Sequence, residues 1–328
     1  MNHLYGRNKK KIKEITGGII HEFEGEGDNQ YIITTYEIFK GVRVFYNDIH
    51  TAEITSKPYA NASSVRRYEI NHCREGRFEC VLRDGTITYM DAGDFSINLM
   101  SNSSSKSIFP ISHYHGVTLC ITPSEFDGDM LALGDIFGIK YEDILNHLCF
   151  EDGVFLKRAT QEIQHIFYEI YRVPDDIVIP YLKVKVQELF LYLTIIDKDI
   201  SVGEREYFLK TNVDIIKNIH SFVVKNFSNS YTYEKLSVLF SIKPTTMKKC
   251  YKTVYGETIN KTVKKTRLKF AAHLLKESGS TITDIAIQVG YSDHSKFSKA
   301  FKKMYNLTPS EYKKRCLIGH KMPNKTRI

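Results

Sequence analysis

The spacing of apolar residues divides the chain into a strand-rich part and a helical part. Residues 31–122 contain seven short segments rich in β-branched and aromatic residues, with polar or glycine-containing turns between them. This pattern predicts β-strands. Strands so short and so closely spaced favour a small barrel or sandwich, which can hold a small ligand. Asp84–Gly85 predicts a hairpin turn because both residues tolerate positive φ. The predicted strands are residues 31–39, 42–49, 65–71, 77–83, 86–90, 94–100 and 116–122.

Helical spacing replaces the alternation after Pro123. It predicts two short helices and then two longer ones, over residues 154–172 and 181–196. The apolar stripes of the longer helices fit the core of this chain or a seam between two chains, and the sequence leaves both open. Residues 197–212 are polar, as is typical of a connection between domains. The stripes comprise Phe155, Ala159, Ile163, Ile166, Phe167 and Ile170 in the first helix, and Leu182, Val186, Leu189, Phe190, Leu193 and Ile196 in the second.

From Val213 to Arg315 the pattern is helical throughout and contains two helix–turn–helix units. In the first unit, residues 244–254 predict a helix that begins at Pro244 and ends before Gly256. In such units the second helix enters the DNA major groove. One face of this helix is apolar, with Met247, Cys250, Tyr251 and Val254. The opposite face carries the candidate DNA contacts Thr245, Lys248, Lys249 and Lys252.

The second unit repeats this arrangement after Gly290, and Asp293 is placed to cap its second helix. Ser and His side chains can bond base edges, so we expect this helix to select bases and the Lys-rich first helix to add affinity. A helix over about residues 258–276 joins the units and spans ~28 Å, near the ~34 Å of one DNA turn. We expect a structural role for its Arg267. The inward residues are Phe297, Ala300, Phe301 and Met304, and the candidate DNA contacts are His294, Ser295, Ser298, Lys299 and Lys302.

Charge is distributed unevenly along the chain. Residues 211–328 hold 23 Lys and Arg against 7 Asp and Glu, a net charge of +16, whereas residues 1–210 hold 23 against 31, a net charge of −8. A basic half joined to an acidic half indicates a nucleic-acid-binding module attached to a domain of another kind. The alternatives are a solvated basic surface and a helical protein-binding module.

The segment ITDIAIQVGYSDHSKFSKAFKKMYNLTPSEYKKR resembles the second DNA-binding unit of AraC/XylS-type transcription regulators. This resemblance implies base contacts at the positions of Thr245, Lys248 and Lys249, and of His294, Ser295, Ser298 and Lys299. The first unit departs more from the family pattern. Lys243 replaces a common Ser cap, Ser237 a small Ala, and Ser241 a Gly, while in the second unit Asn306 replaces a Gly.

The resemblance also implies an N-terminal sensor with a cupin-like β-barrel and a helical dimer interface. Residues 69–100 loosely resemble sensors of the siderophore-responsive branch. The implied function is sequence-specific transcription control, commonly activation, by a homodimer that binds double-stranded DNA, a small-molecule effector and RNA polymerase. We therefore predict an α+β protein of two domains, with an all-α double helix–turn–helix domain at the C-terminus. The segments are a cupin-like β sensor (1–150), a helical dimerisation segment (151–200), a linker (201–212), the DNA-binding domain (213–316) and a basic tail (317–328).

For an anionic effector the candidates are the basic residues of the strand region, because Arg suits carboxylate and phosphate groups. Solvated arginines on edge strands are an equally good explanation. The candidates are Arg66, Arg67, His72, Arg74, Arg77, His113 and His115.

His113 and His115 form an H-x-H pair, whose rings share one face of a strand. A cupin metal site needs a Glu and a further His in register. Glu69 and Glu79 are available, but no metal-ligand spacing is complete. Phosphate-loop, G-x-S-x-G and Cys/His nucleophile patterns are absent from the sequence. We therefore predict no enzyme activity, metal or cofactor. The alternative is a metal-dependent cupin enzyme tethered to a DNA-binding domain.

The six cysteines form no C-x-x-C pair, so disulfides are not implied and a reducing cytosol is expected. No apolar run approaches the ~18 residues of a membrane span. The basic and apolar residues near the N-terminus are a poor signal peptide. We expect a cytoplasmic protein without a membrane partner.

Overall fold

The structure, a computed structural model, describes residues 9–24, 30–55, 65–81, 85–100, 106–149, 154–196, 207–277 and 279–319. The chain forms two compact units, residues 1–210 and 211–328. The strands are β1 (Lys9–Ile15), β2 (Gly18–Glu24), β3 (Gln30–Phe39), β4 (Val42–His50), β5 (Glu53–Thr55), β6 (Tyr68–Val81), β7 (Thr86–Asp91), β8 (Asp94–Leu99), β9 (Lys106–Ile108), β10 (Tyr114–Ile121), β11 (Val154–Arg158) and β12 (Phe208–Leu209). The helices of the first unit are α1 (Gly128–Phe137), α2 (Tyr141–Cys149), α3 (Gln161–Ile170) and α4 (Val178–Thr194).

The first unit is built on an antiparallel sheet in the order β1-β2-β3-β4-β10-β6-β7-β12. Strand β8 pairs with β6, β11 pairs with β8, and β5 and β9 form a separate pair. The central strands β4, β10 and β6 are therefore held on both sides by neighbouring strands. The predicted hairpin turn at Asp84 lies outside the described residues, and Gly85 has a φ of +80°.

Two predicted strands, residues 65–71 and 77–83, are one strand in the structure. Strand β6 runs from Tyr68 through Gly76 to Val81, with its register against β10 shifted near His115. Gly76 has a φ of +92°, and a Cβ atom there would lie 2.0 Å from the carbonyl oxygen of His113. A glycine in the middle of a strand permits this bend and the close approach of β10.

The prediction of one helix over residues 154–172 is wrong in its first turn. Residues 154–158 form β11, because their backbone groups pair with β8 from Asn98 to Asp94. Helix α3 begins only at Gln161, where the Thr160 hydroxyl accepts a hydrogen bond from the Ile163 N–H. Pro180 is the third residue of α4, within the first turn, where a missing N–H costs no intrahelical hydrogen bond.

The main core lies between one face of the sheet and helices α1–α4. The apolar stripes of α3 and α4 point into it, so both fill the core of their own unit. Burial of side chains this large stabilises the fold by about 1.5–3 kcal/mol each. The buried stripe residues are Ile163, Ile166, Phe167 and Ile170 in α3, and Leu182, Val186, Leu189, Phe190 and Leu193 in α4.

In the described residues of the second unit, the regular structure consists of helices joined by turns. Its helices are α5 (Lys210–Lys225), α6 (Tyr233–Phe240), α7 (Pro244–Tyr255), α8 (Ile259–Glu277), α9 (Ile282–Gln288), α10 (His294–Tyr305) and α11 (Pro309–Gly319). Helix α8 supplies Leu268, Ala271 and Leu275 to a core shared with α9 and α10. Among the described residues, no helix is both long enough and apolar enough to cross a membrane.

Candidate functional site

The first helix–turn–helix unit consists of α6 and α7. The turn passes through Ser241, which has a left-handed φ of +51°, and α7 follows Lys243 without a side-chain cap. The missing cap agrees with the prediction from the sequence. The predicted apolar face of α7 is buried, so its opposite face is fixed toward solvent. The buried residues are Met247, Cys250, Tyr251 and Val254.

The outer face of α7 exposes Thr245, Lys248, Lys249 and Lys252, as the sequence predicted. Of these, Lys248 is positioned by a further contact. Its ammonium lies 4.6 Å from the centroid of the Tyr233 ring on α6, a cation–π arrangement. This contact holds the Lys248 side chain against α6 of the first helix–turn–helix unit.

The second helix–turn–helix unit consists of α9 and α10. Both helices have a side-chain cap at the N-terminus. Thr281 and Asp284 form a capping box at α9. At α10, Asp293 Oδ1 accepts hydrogen bonds from the N–H groups of Lys296 (3.1 Å) and Ser295 (2.7 Å). These bonds hold the pKa of the Asp293 carboxyl below its usual value. The cap therefore fixes the first turn of α10, where His294 and Ser295 lie.

The outer face of α10 carries the predicted polar residues. His294, Ser295, Lys299 and Lys302 are exposed, and Ser298 is half-buried. The inner face buries Phe297, Ala300 and Phe301, and Met304 is half-buried. A helix with one apolar face in the core and a polar, basic face in solvent can enter a DNA groove.

Arg267 on the connecting helix α8 has the structural role that the sequence predicted. Its guanidinium donates hydrogen bonds to four backbone carbonyl oxygens and lies over the ring of Tyr291. The acceptors are Phe227 (2.7 Å), Gly290 (2.8 Å), Asn229 (2.9 Å) and Ser228 (3.2 Å). All these donors bind backbone of the same domain. Arg267 therefore connects the residues after α5 to the turn of the second helix–turn–helix unit.

Two lysines of α8 are paired with a carboxylate of the same unit. Glu257 lies 2.5 Å from the Lys265 ammonium and 3.9 Å from that of Lys261, and it accepts a hydrogen bond from Thr262. Glu257 therefore offsets part of the positive charge at the start of α8, and the basic residues of α7 and α10 remain the main candidates for DNA.

The comparisons with known proteins match mainly the C-terminal unit, residues 211–328. Residues 236–315 match a helix–turn–helix domain family. Residues 236–315 form an AraC-type helix–turn–helix domain. The chain is 28% identical over 95 residues to the regulator ExsA of Pseudomonas aeruginosa, which covers 29% of this chain and 34% of ExsA. It is 26% identical over 123 residues to the activator RhaS of Escherichia coli O139:H28, covering 38% and 43%. The chain thus spans less than half the length of these curated relatives.

Among solved structures, a probable AraC family transcriptional regulator from Rhodopseudomonas palustris is 25% identical. The match covers 31% of this chain and 97% of that one, with a TM-score of 0.30. A longer match, to the ToxT structure from Vibrio cholerae O395, is 15% identical and covers 77% of this chain and 90% of that one, with a TM-score of 0.29.

The arginines predicted to bind an effector differ in exposure and in the residues that they contact. Arg66 is exposed and donates to Asn146 Oδ1 at 2.6 Å. Arg67 is half-buried just before β6. Arg77 is buried in an ion pair with Asp91, and Arg74 is exposed with its guanidinium over the Tyr171 ring. Arg66, Arg74 and Arg77 thus contact three different residues, Asn146, Tyr171 and Asp91.

His72 lies against helix α3 and is buried. Its ring stacks on Phe167 with centroids 4.2 Å apart, and its Nδ1 lies 3.0 Å from the Tyr171 hydroxyl. Burial lowers the pKa of His72 to about 4. The ring is therefore neutral at pH 7 and part of the packing between sheet and helix.

His113 and His115 do lie together, and the structure adds a residue that the sequence reasoning missed. His50, at the end of β4, has its ring centroid 5.3 Å from both. His50 is far from the other two in the chain, so only strand pairing brings it near. The available signal was the D-x-H spacing of Asp48 and His50, which complements the H-x-H pair.

The face of the sheet opposite the helices carries a hydrogen-bonded polar network that the sequence reasoning also missed. Asn47 donates to Thr118 (3.0 Å), Thr118 to Asn71 (2.7 Å), Asn71 to Asn98 (3.0 Å) and Asn98 to Glu69 (3.1 Å). Burial raises the pKa of Glu69. We call these five residues the polar ladder. It crosses β4, β10, β6 and β8.

Proposed function

We propose that this protein is a sequence-specific DNA-binding transcription regulator, an activator that works with RNA polymerase. The observation that carries the proposal is the pair of helix–turn–helix units in one matched domain, each with a buried apolar face and an exposed polar or basic face. The similarity to RhaS, named a transcriptional activator, supports activation. The tethered cupin enzyme would carry the same matched domain, so the two functions differ in what the first unit does.

The proposed DNA contacts are the exposed side chains of α7 and α10. On α7 they are Thr245, Lys248, Lys249 and Lys252. On α10 they are His294, Ser295, Ser298, Lys299 and Lys302. Lys and Arg contacts to phosphates fix position, whereas Ser, His and Lys contacts to base edges select sequence. Both kinds of group are present on α10, which supports its role in base selection.

The test begins with selection of duplexes from a randomised pool by the full chain. The affinity of the selected duplex is then measured by fluorescence anisotropy at several salt concentrations. We expect strong salt dependence and a large loss of affinity in a His294→Ala, Lys299→Ala double variant. Lys225→Ala, an exposed change at the end of α5, is the control. Failure of the full chain to enrich or bind any duplex at low salt would overturn the proposal.

The proposal includes a homodimer formed through the outer face of α4. The inner stripe of α4 is buried in the core, yet its outer side exposes further apolar residues. Val184 and Leu191 lie seven residues apart on α4, and Ile177, seven residues before Val184, immediately precedes the helix. Ile195 follows Leu191 after four residues, immediately past the end of α4. Val184 is 63% exposed and Ile195 is 75% exposed. A seven-residue apolar repeat is the seam of a pair of packed helices, which supports a second copy of the chain as its partner.

Sedimentation velocity of the full chain tests the dimer. We expect a Val184→Glu, Leu191→Glu double variant to sediment as a monomer. Ile136→Glu changes an equally exposed apolar residue on α1 and should leave the dimer intact. A dimer that survives the double variant places the interface elsewhere.

For the first unit we propose a cupin-like sensor of a small molecule. The antiparallel sheet, closed by helices on one face and lined by the polar ladder on the other, supports this assignment. The half-buried Glu69 at the end of the ladder suits an effector with hydrogen-bond donors. A thermal-shift screen of small molecules against the wild type and an Asn71→Leu variant tests it. A true effector raises the Tm of the wild type only, whereas an equal shift in both proteins contradicts the ladder site.

A further inference from the structure

We propose that His50, His113, His115 and Asp48 bind one divalent transition-metal ion of the zinc class. Asp48 and His50 lie on β4 and His115 on the neighbouring strand β10, and His113 immediately precedes β10. The inference is independent of DNA binding, and it goes beyond the sequence, in which no metal-ligand set is complete.

Strand register places the side chains together. His115 on β10 pairs with Asp48 on β4 and with Glu75 on β6, so these three residues lie side by side across the central strands. His50 lies two residues after Asp48 on β4, and His113 lies two residues before His115, immediately ahead of β10. Alternate residues of a strand share a face of the sheet. All five side chains are therefore directed to the same side.

The distances bring the three histidines together, and Asp48 Oδ1 lies close to two of them. Each histidine offers one ring nitrogen such that the three nitrogens all lie within 4.8 Å of one another. Asp48 Oδ1 lies 2.7 Å from His115 Nε2 and 2.8 Å from His50 Nε2. Around a tetrahedral zinc ion with Zn–N bonds of about 2.0–2.1 Å, two nitrogens are roughly 3.4 Å apart. Small side-chain rotations would therefore close the set around an ion.

Two atoms of the cluster have unmet bonding capacity. Among the described residues, His115 Nε2 and Asp48 Oδ1 are buried without a hydrogen-bond partner. They are only 2.7 Å apart, and Asp48 Oδ1 is also 2.8 Å from His50 Nε2. Buried polar atoms without partners are rare in folded proteins. A cation held by both atoms would satisfy both.

The ligand types select the metal. Three imidazoles and one carboxylate suit Zn²⁺, Co²⁺, Ni²⁺ or Cu²⁺, whereas Mg²⁺ and Ca²⁺ prefer sets made only of oxygen. The histidine side chains are between 31% and 39% exposed, so an ion can enter from solvent. With four protein ligands the site fits a structural or sensing ion rather than one that holds an open catalytic position.

Glu75 is a positioning residue for this site. Its Oε2 lies 3.5 Å from His113 Nε2 and 3.9 Å from His115 Nδ1. A carboxylate that accepts from the non-ligating ring nitrogen fixes the tautomer and orientation of a metal-bound histidine. Loss of such a partner lowers metal affinity by about 10–100-fold.

The test measures Zn²⁺ and Co²⁺ binding to the untagged full chain in competition with a chelator. We expect one ion per chain and, for Co²⁺, the intense visible bands of tetrahedral coordination. His50→Ala and His115→Ala should abolish tight binding, and Glu75→Gln should weaken it by about 10–100-fold. His165→Ala is the matched control, because His165 is an exposed histidine on α3.

Circular dichroism of each variant establishes that the chain remains folded, and Asp48→Asn preserves side-chain shape if an alanine variant does not fold. Two results would overturn the proposal. One is the absence of a stoichiometric ion in the wild type at micromolar Zn²⁺. The other is equal binding by the His50→Ala and His165→Ala variants, which would place the metal elsewhere.

Discussion

Arg267 Nη1 donates a 2.8 Å hydrogen bond to the carbonyl oxygen of Gly290, which joins the connecting helix to the turn of the second helix–turn–helix unit. The same guanidinium also holds the chain after α5 through Phe227, Ser228 and Asn229. Hydrogen bonds from charged groups stabilise a protein by about 1.5–3 kcal/mol each, although losses are not additive. The AraC-type domain therefore depends on this one side chain.

We expect Arg267→Ala to lower the free energy of unfolding of the C-terminal unit by about 2–4 kcal/mol, since several carbonyl groups lose their donor. Arg267→Lys should recover only part, because an ammonium cannot span the four acceptors. Urea denaturation followed by circular dichroism measures both. Lys269→Ala, an exposed change on the same helix, is the control. If Arg267→Ala unfolds at the same urea concentration as the control, the guanidinium contacts contribute nothing measurable.

Gly290, which accepts the hydrogen bond from Arg267, has a backbone conformation and surroundings that leave no room for a side chain. It has a φ of +86°, and a Cβ atom there would lie 2.3 Å from the Ser228 carbonyl oxygen. We expect Gly290→Ala to destabilise the domain by at least about 1–2 kcal/mol from the left-handed backbone alone, with the clash adding to it. Gly279→Ala meets no atom within 4 Å and should be nearly neutral. Thermal unfolding of the two variants in parallel decides the point, and similar Tm values would contradict it.

Differences in helix capping make the two recognition helices unequal. Asp293 caps α10 through two backbone N–H groups, whereas Lys243 offers α7 no cap. We expect Asp293→Ala to lower stability by about 0.5–2 kcal/mol and Lys243→Ser to raise it by a similar or smaller amount. Equilibrium urea unfolding is again the measurement. A Lys243→Ser variant no more stable than Lys243→Ala would mean that the new hydroxyl does not reach the helix.

The features of the AraC-type domain were predictable because they are local in sequence. The spacing of Met247, Cys250 and Val254 fixes one helix face, and Asp293 precedes the helix that it caps. The fold of residues 1–210 was less predictable because pairing between distant strands determines it. Residues 154–158 have helical spacing but pair with β8, and His50 joins His113 only through the alignment of β4 and β10. A pattern within one segment carries no information on its partner strand.

Burial of His72 predicts a pH dependence of stability in the first unit. Its pKa is lowered to about 4 in the folded chain, against 6.5 for an ordinary histidine. The unfolded state therefore binds a proton more readily, and the stabilisation present above pH 6.5 is lost as the pH falls toward 4. The shift corresponds to up to about 3 kcal/mol.

We expect the stability advantage of the wild type over a His72→Gln variant to shrink by up to about 3 kcal/mol between pH 7 and pH 4. Urea unfolding curves at several pH values measure this difference. His165→Gln changes an exposed histidine and should run parallel to the wild type throughout. A constant difference between wild type and His72→Gln would show that His72 does not resist protonation in the folded protein.

Lys248 and Lys299 should affect DNA binding differently, although both are exposed on recognition helices. The Lys248 ammonium lies 4.6 Å from the Tyr233 ring centroid, so it is held near its own unit. Lys299 follows Ser295 and Ser298 on the capped helix α10. We expect Lys299→Ala to weaken the selected duplex by about 1–3 kcal/mol and to relax base preference at one position. Lys248→Ala should weaken all duplexes alike and lower the salt slope by about 1 or less.

Anisotropy titrations with the selected duplex, its single-base variants and an unrelated duplex separate these effects, because a base contact changes the ranking of duplexes and a phosphate contact does not. Since α7 lacks a side-chain cap and Lys248 contacts Tyr233, α7 should supply affinity while α10 supplies selectivity. Relaxed base preference in Lys248→Ala, with an unchanged ranking of duplexes in Lys299→Ala, would reverse these roles. Base selection would then belong to α7 of the first helix–turn–helix unit.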